Sequence, residues 1–377
     1  MNTLKKLYTI FKTKVKRLLN QAVAIKLHVL FILMYLKLLG KHNKKSDNNV
    51  VQFNLKHNAK RYLLTIIQYF LANGYHVKLF CSRSLFWSIR SDLYSKKIFN
   101  SVGFSITLRE YPKQKQTVLI ADYELNYEAI YISYNYFSSK EPKKAYRVPL
   151  SFHPENLLGE YLETSLINSN KSPRNVKLFF IGNLTSEFYQ NIQLKKSFDV
   201  MTRMEAISAI CENFDYTKLL VPNSIKQLYK GFTDKMEIIL CDGKANPVWN
   251  RDYFRLLEQS DFFLAASGVI IPQCHNIIEA MAAGCIPLIE YGDWFTPPLE
   301  HNVNAVIFKG TEDLIKKIKF ILMLTEYDIQ KLRLGVLKYY ENNLTSKSVI
   351  NQVLDRKYSE LHLNSEGYSV GLMQEDV

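Results

Sequence analysis

A histidine, an asparagine and a glutamate share one face of a short helix predicted near residue 280. His275 and Asn276 precede Glu279 by four and three residues, and side chains at those spacings lie side by side on a helix. Unpaired N–H groups at a helix start attract phosphate, and an imidazole there can add a hydrogen bond. A carboxylate about 6 Å further along the axis can accept bonds from ribose hydroxyls. The group therefore has the layout of a nucleoside diphosphate site, or else is a cap beside a solvated acid.

The surrounding sequence predicts a strand, a loop, this helix and a second strand. The strand "FFLAAS" (262–267) leads into the loop "SGVIIP" (267–272), which contains Gly268. Pro272 favours the first turn of the helix, and Gly284 favours its C-terminal end. Ligands of open parallel sheets bind where strands end and helices begin, so we expect the site at this loop.

The rest of the chain alternates in the same way. Candidate strands and helices follow one another in two series, which start near residues 50 and 176. Such alternation predicts parallel sheets covered on both faces. The last twenty residues hold four acids, two glycines and no lysine or arginine, and we expect them to be loosely attached. The predicted order is an N-terminal segment (1–46), two α/β domains (47–165 and 166–340), and a C-terminal helix and acidic tail (341–377).

The net charge of +14 comes almost entirely from the N-terminal segment. Residues 1–46 hold ten lysines, one arginine and no acid, and the remaining 331 residues carry 38 basic against 35 acidic side chains. Apolar residues between Leu4 and Ala22 recur at helical spacing, with most of the lysines on the other side. We expect this basic amphipathic helix to lie on an anionic membrane surface. The alternatives are packing on the protein's own core, a spanning or targeting segment, and a nucleic-acid arm.

The sequence disfavours several other classes of protein. No GxGxxG or GxxxxGK[ST] motif occurs, so neither a dinucleotide fingerprint nor a P-loop is predicted. The five cysteines are scattered without a CxxC pair or zinc-ligand spacing, which favours reduced thiols in a reducing compartment and no zinc site. A nucleic-acid binder is disfavoured because the basic charge is confined to one apolar-striped segment and no RNP-like motif accompanies it.

The stretch "GVIIPQCHNIIEAMAAGCIPLIEYGDWFTPPLEHNVNAVIF" (268–308) resembles the donor-sugar half of GT-B glycosyltransferases. The likeness is to the exostosin-like and bacterial surface-polysaccharide groups, in which an "EAM..G.IP(V/I)I" core follows a loop after a strand. "LFFIGNL" (178–184) is similar to the strand that opens that domain, with Gly182 and Asn183 in its phosphate-proximal turn. In the N-terminal half the resemblance is limited to the α/β alternation and "YRVPLSFHPE" (146–155).

The resemblance implies two Rossmann-like domains that face a cleft. It implies a nucleotide-sugar donor on the C-terminal domain, an acceptor on the N-terminal domain, and usually no catalytic metal. Glu279 matches the ribose-binding glutamate, and His275 and Asn276 occupy positions near the phosphates. Two positions depart from the pattern: retaining members often carry a second glutamate where this chain has Ile271, and exostosin-like members tend to carry an arginine where it has Asn276.

The transfer reaction that the resemblance implies needs a cation and, in an inverting enzyme, a general base. The diphosphate leaving group must be stabilised electrostatically, and Arg203, after the first strand of the C-terminal domain, is the candidate. His153 and Asp122 are the candidates for the base on the acceptor hydroxyl. Asp293 is a candidate contact of the donor sugar. Each of these four residues also has a purely structural interpretation.

We therefore expect a glycosyltransferase of cell-surface polysaccharide or lipopolysaccharide synthesis, peripheral to the cytoplasmic face of the membrane. Its partners would be a nucleotide sugar, a glycan or glycolipid acceptor and anionic lipid, without nucleic acid, cofactor or metal. The basic segment supports this role because such synthesis uses lipid-linked acceptors at that leaflet. The alternative is a non-catalytic α/β protein that binds a nucleotide sugar or acts as a scaffold. The sequence leaves the donor, the acceptor, the anomeric outcome and the oligomeric state open.

Overall fold

The computed structural model describes residues 25–26, 28–30, 32–33, 36–37, 49–112, 117–138, 145–158, 174–219, 236–246, 250–355, 358 and 360–375. Contacts divide the chain into two compact units, Met1–Asn58 with Phe70–Ile130 and Ala59–Tyr69 with Tyr131–Val377. The strands of the described residues are β1 Val50–Leu55, β2 His76–Cys81, β3 Phe104–Ile106, β4 Val118–Ala121, β5 Ile130–Ser133, β6 Ala145–Arg147, β7 Val176–Gly182, β8 Thr217–Leu219, β9 Met236–Asp242, β10 Ser260–Ala265, β11 Ile286–Ile289, β12 Val306–Ile307 and β13 Glu360–His362.

The α-helices that the structure describes in full alternate with these strands. They are α1 Arg61–Ala72, α2 Arg83–Ser91, α3 Pro154–Leu157, α4 Ser186–Tyr189, α5 Ile192–Phe198, α6 Arg203–Asn213, α7 Asn250–Glu258, α8 His275–Ala282, α9 Gly310–Met323, α10 Glu326–Asn343, α11 Ser346–Leu354 and α12 Gly367–Glu375. Two 3₁₀ helices occupy Ser95–Asn100 and Gly292–Trp294.

The first unit is built on four parallel strands in the order β3-β2-β1-β4. The central strand β1 is buried along its whole length, including the amides of Gln52 and Asn54. Buried amides need partners, and these two donate to backbone carbonyls of the loop after β3: Gln52 Nε2 to Arg109 O and Glu110 O, and Asn54 Nδ2 to Glu110 O. The strand therefore fixes the loop that crosses its carboxyl end.

The second unit contains a six-stranded parallel sheet in the order β12-β11-β10-β7-β9-β8. Strands β7 and β10 each contain two adjacent phenylalanines and are almost wholly buried, as is typical of the apolar strands of parallel sheets. The strand order runs one way from β7 to β9 and the other way from β7 to β10. The α/β class and the Rossmann-like parallel sheets that the sequence predicts are confirmed.

The C-terminal residues belong to the core of the second unit. Strand β13 pairs in parallel with Tyr131–Ser133 on one side and with β6 on the other. Leu361, in the middle of β13, is 1% exposed, and α12 follows. The expectation of a loosely attached tail is therefore wrong for residues 360–375. Two ladders of backbone hydrogen bonds and a buried leucine hold this segment despite its acidic composition.

The predicted membrane-associating segment, residues 1–46, lies largely outside the described residues. Its described residues, between 25 and 37, are helical and exposed, and they include Ile25 (66% exposed), Leu33 and Leu36. No helix within the described part of the chain is long and apolar enough to cross a bilayer. The predicted boundaries at 46/47 and 165/166 also fall outside the described residues, and the one at 340/341 falls inside α10.

Candidate functional site

A cavity of about 460 Å³ lies in the second unit, where three strands of its sheet end. Its walls include Gly182 at the end of β7, Asn183 after it, Gly243 after β9, and the loop that follows β10. Strand order reverses at β7, and open α/β sheets bind ligands outside the carboxyl ends of strands at such a switch point. The cavity therefore occupies the position that the sequence predicts for the site.

Two glycines in the cavity wall lie where a side chain would collide. A Cβ atom at Gly268 would stand 2.5 Å from Ile271 O, and one at Gly182 would stand 2.8 Å from the Phe180 ring. Gly268 N also donates to Pro272 O at 3.1 Å, which folds the loop back on itself. Both glycines are candidate site residues from the sequence, and a larger residue at either position would force neighbouring atoms to shift.

Arg203 is a buried cation that is held by neutral groups. It is 3% exposed, and its guanidinium lies 3.8 Å from the centre of the Tyr189 ring. Nε donates to Ser267 O (3.1 Å), Nη1 to Asn183 O (3.0 Å) and Nη2 to Cys274 Sγ (3.3 Å). No described carboxylate forms an ion pair with it. An arginine stays charged at all ordinary pH values, and burying a charge without a counter-ion is costly, so the cavity favours an anion.

A capping box fixes the start of the helix that carries Arg203. Thr202 Oγ1 accepts from Glu205 N, and the Glu205 carboxylate accepts from Thr202 N at 2.8 Å. This reciprocal pair satisfies the first N–H groups of α6. Arg203 is the first residue of α6, so the box also sets the direction in which its side chain leaves the backbone.

Helix α8 presents an uncapped start to the cavity. Cys274 is its N-cap residue, and no side chain caps the first turn. The predicted start at Pro272 is wrong, because Pro272 closes the preceding loop by accepting the bond from Gly268. Asn276 Nδ2 donates to Ile181 O (3.2 Å), while its buried Oδ1 has no partner in the described structure. A donor from a ligand can satisfy that oxygen.

Two imidazole rings meet at the start of α8. The centres of the His153 and His275 rings are 4.7 Å apart. Burial, then the charges of His153, Arg61 and Arg203, lowers the pKa of His275 well below its usual value, so His275 is neutral at pH 7. His153 Nδ1 accepts from Glu155 N (3.3 Å). When the His153 ring is neutral, this bond places its proton on Nε2, which is then a potential donor.

Glu279 is a buried carboxyl that holds the neighbouring turn. It is 1% exposed, and its Oε1 accepts from His153 N (2.9 Å) and from Asn156 Nδ2 (2.6 Å). Burial raises the pKa of Glu279 from 4.5 to about 7, although the bonds from Asn156, His153 and Tyr253 act in the opposite direction. The bonds from His153 and Asn156 both end on Oε1, and the Tyr253 hydroxyl, which lines the same cavity, also acts on the carboxyl.

Several residues that line the cavity are not predicted from the sequence. Arg61, at the start of α1, forms an ion pair with Glu366, just before α12, at 2.6 Å, and both line the cavity. Asn156, Tyr189 and Lys244 line it as well. Arg61 and Glu366 come from opposite ends of the chain, so no local spacing links them. The "FHPEN" turn after His153 is the one signal that points toward Asn156.

Two of the candidate residues lie elsewhere. Asp122 belongs to the first unit, where Oδ1 accepts from Lys56 N (2.8 Å) and Oδ2 from His57 N (2.9 Å). That bonding gives Asp122 a structural role in the turn after β1. Asp293 is exposed on a 3₁₀ helix and does not line the cavity. The structure brings together His153, Gly182, Asn183, Arg203, Gly268, His275, Asn276 and Glu279.

The part of the chain that the structure describes contains no group of three or more histidine, cysteine, aspartate or glutamate side chains placed to hold a metal. All five cysteines are free thiols, in agreement with the sequence.

Comparisons with known proteins give a consistent but distant likeness. No family model and no curated protein matches the chain. Among solved structures, a glycosyltransferase from Rickettsia africae is 12% identical with a TM-score of 0.45, covering 82% of this chain and 98% of that one. Anabaena HepE in complex with UDP is 12% identical with a TM-score of 0.45, covering 81% and 98%. Acinetobacter baumannii MurG is 9% identical with a TM-score of 0.38, covering 81% and 99%.

Proposed function

We propose that the chain is a glycosyltransferase that uses a nucleoside diphosphate sugar. The observation that carries this proposal is the buried Arg203, which has no carboxylate partner in the described structure and lies beside the open start of α8. A cation and free N–H groups are what a diphosphate leaving group needs as its bond to the sugar breaks. The diphosphate leaves with the bonding electrons, the acceptor oxygen bonds to the anomeric carbon, and the hydroxyl proton passes to a base.

The other cavity residues fit a nucleotide sugar. We assign Glu279 to a ribose hydroxyl and the neutral His275 to a phosphate oxygen. Asn276 Oδ1 is a buried acceptor for a donor group of the ligand. His153 donates from Nε2 in this arrangement, so it suits a hydrogen bond to the donor better than removal of the acceptor proton.

Calorimetry with UDP and GDP tests the site. We expect micromolar to millimolar binding of one of them and a loss of roughly 10- to 100-fold in Arg203→Lys, because lysine cannot reproduce the three-way guanidinium contacts. Arg174→Lys is the matched control. Arg174 is another buried arginine bonded to backbone carbonyls, of Leu257, Ser260 and Ala283, but it does not line the cavity. If neither diphosphate binds the wild-type protein, the proposal is wrong.

A second measurement separates the enzyme from a non-catalytic binding or scaffold protein. A panel of nucleotide sugars is incubated with the protein, and release of the nucleoside diphosphate is followed. A transferase is expected to hydrolyse its own donor slowly in the absence of an acceptor, and Arg203→Lys is expected to lower that rate. Binding without release from any donor would favour the non-catalytic alternative.

We also propose that transfer takes place at the cytoplasmic face of a membrane, in the synthesis of a surface polysaccharide or lipopolysaccharide. The support is the confinement of eleven basic residues to positions 1–46 and the exposed apolar side chains at Ile25, Val29, Leu33 and Leu36. A lipid-linked acceptor would reach the enzyme at that surface. We further propose that no metal cofactor takes part.

A further inference from the structure

We propose that Arg61 is a second anion-binding residue of the cavity, and that Glu366 limits how strongly Arg61 attracts the anion. This inference rests on the proposed function and extends it to a residue at the opposite end of the chain from the predicted motif. Arg61 comes from the start of α1, and Glu366 from the turn that precedes α12. Both line the same cavity as Arg203.

The hydrogen bonds of Arg61 leave part of its guanidinium available. Nη2 contacts Glu366 Oε1 at 2.6 Å and Tyr62 OH at 3.4 Å. No described residue accepts a hydrogen bond from Nη1. The Arg61 side chain is 23% exposed, so it is accessible from the cavity. A guanidinium has five donors in a fixed plane, and it can hold Glu366 with one edge while it donates to a phosphate with another.

The positive charges of Arg61 and Arg203 both act on His275. Both lower the pKa of His275, after the larger effects of burial and of His153. His275 is the first residue of α8, so two cations and a helix start converge on one region of the cavity. A single phosphate can be matched by Arg203 and the helix N–H groups alone. A second cation is of most use to a ligand that carries two phosphates.

Glu366 is held in place by its backbone. Its φ of +51° lies in the left-handed region, which residues with a side chain seldom adopt. Glu366 N donates to Asn364 Oδ1 at 2.7 Å, which supports the turn. The turn thus aims a carboxylate at Arg61, and this carboxylate offsets the positive charge that an anion would meet. Removing that negative charge should therefore strengthen anion binding.

The test compares ligands that differ only in phosphate number. Nucleoside, nucleoside monophosphate and nucleoside diphosphate, in the uracil or guanine series that the wild type binds, are titrated by calorimetry into the full chain. We expect Arg61→Met to weaken diphosphate binding roughly 10- to 100-fold, monophosphate binding less, and nucleoside binding not at all. We expect Glu366→Gln to tighten diphosphate binding roughly three- to tenfold.

The ion pair of Arg255 with Asp252 provides the matched control. It lies on α7, about half exposed, and neither residue lines the cavity. Arg255→Met and Asp252→Asn should leave all three affinities unchanged. Failure of the wild type to bind any diphosphate would overturn the proposed function itself. Equal diphosphate binding by the wild type and Arg61→Met would overturn only the role of Arg61, as would an equal loss for all three ligands. Weaker binding by Glu366→Gln would overturn the role of Glu366.

Discussion

At the scale of the residue, Glu279 makes the stability of the protein depend on pH. Its pKa is raised from 4.5 to about 7, chiefly by burial. Between these values the folded chain keeps a proton that the unfolded chain releases, so stability falls as pH rises from about 4.5 to about 7. The decline amounts to something on the order of 3 kcal/mol at one pKa unit per 1.36 kcal/mol.

Thermal unfolding at pH 5 and at pH 8 tests this coupling. We expect the melting temperature of the wild type to drop more than that of Glu279→Gln over this interval, because the amide cannot ionise. Glu312→Gln, at an exposed position on α9, serves as the control and should follow the wild type. Equal drops in wild type and Glu279→Gln would show that Glu279 has an ordinary pKa.

The loop after β10 depends on one residue without a side chain. Gly268→Ala would place a methyl group 2.5 Å from Ile271 O, so the loop must shift. We expect the variant to lose roughly 1–3 kcal/mol of stability and to bind nucleoside diphosphate more weakly. Gly367→Ala, where nothing lies within 4 Å of the added atom, should be neutral in both denaturant unfolding and calorimetry. A Gly268→Ala protein with unchanged unfolding and binding would contradict this account of the loop.

The sequence predicts some cavity residues and misses others for a physical reason. His275, Asn276 and Glu279 share a helix face, so their spacing alone brings them together. Arg203 follows a predicted strand, at the sheet edge where ligands bind. Arg61 and Glu366 form an ion pair only because the tertiary fold brings them together. The spacing of residues within a single helix or strand cannot predict such a contact. Asp122 has the right residue type after a strand, but backbone N–H groups take both of its oxygens.

At the scale of the element, continuous apolar runs predict the strands well. The acidic composition of the C-terminal segment, in contrast, wrongly predicts that this segment is loosely attached. Strands β1 and β7 begin where the two predicted series start, near residues 50 and 176, because the strands of a covered parallel sheet are mostly apolar. Strand β13 has only three residues, and its neighbours in the sheet lie more than two hundred positions earlier. Its pairing is therefore set by the assembled sheet and has no local signal.

Helix α10 packs so closely on the chain before β12 that one position admits only glycine. A Cβ atom at Gly335 would collide with the carbonyl oxygen of Val303, which is backbone and cannot swing aside. In an exposed helix, alanine would be about 1 kcal/mol better than glycine. Here we expect Gly335→Ala to be destabilising by several kcal/mol, measured by urea unfolding. Gly371→Ala in α12, with open space around it, should be neutral or stabilising, and a stable Gly335→Ala would disprove the close contact.

At the scale of the whole molecule, the charge is divided very unevenly along the chain. Residues 1–46 contribute eleven basic side chains and no acid, while the other residues are close to neutral. Surface charges are screened beyond about 8 Å at physiological salt, so the N-terminal segment would act as an independent cationic element. Each lysine near an anionic bilayer contributes about 1 kcal/mol to binding, and exposed apolar side chains such as Leu33 and Leu36 add burial in the interface.

Vesicle co-sedimentation of the full chain tests this division of charge. We expect binding to vesicles that contain anionic lipid, release as salt rises to about 0.5 M, and little binding to zwitterionic vesicles. Reversing Lys5, Lys6 and Lys12 to glutamate should weaken binding at least about tenfold. Reversing three exposed lysines of the second unit, Lys316, Lys319 and Lys331, is the matched control and should have little effect. If both triple variants lose binding equally, net charge and not the N-terminal segment directs the protein to lipid, and binding that ignores salt would leave no role for the lysines.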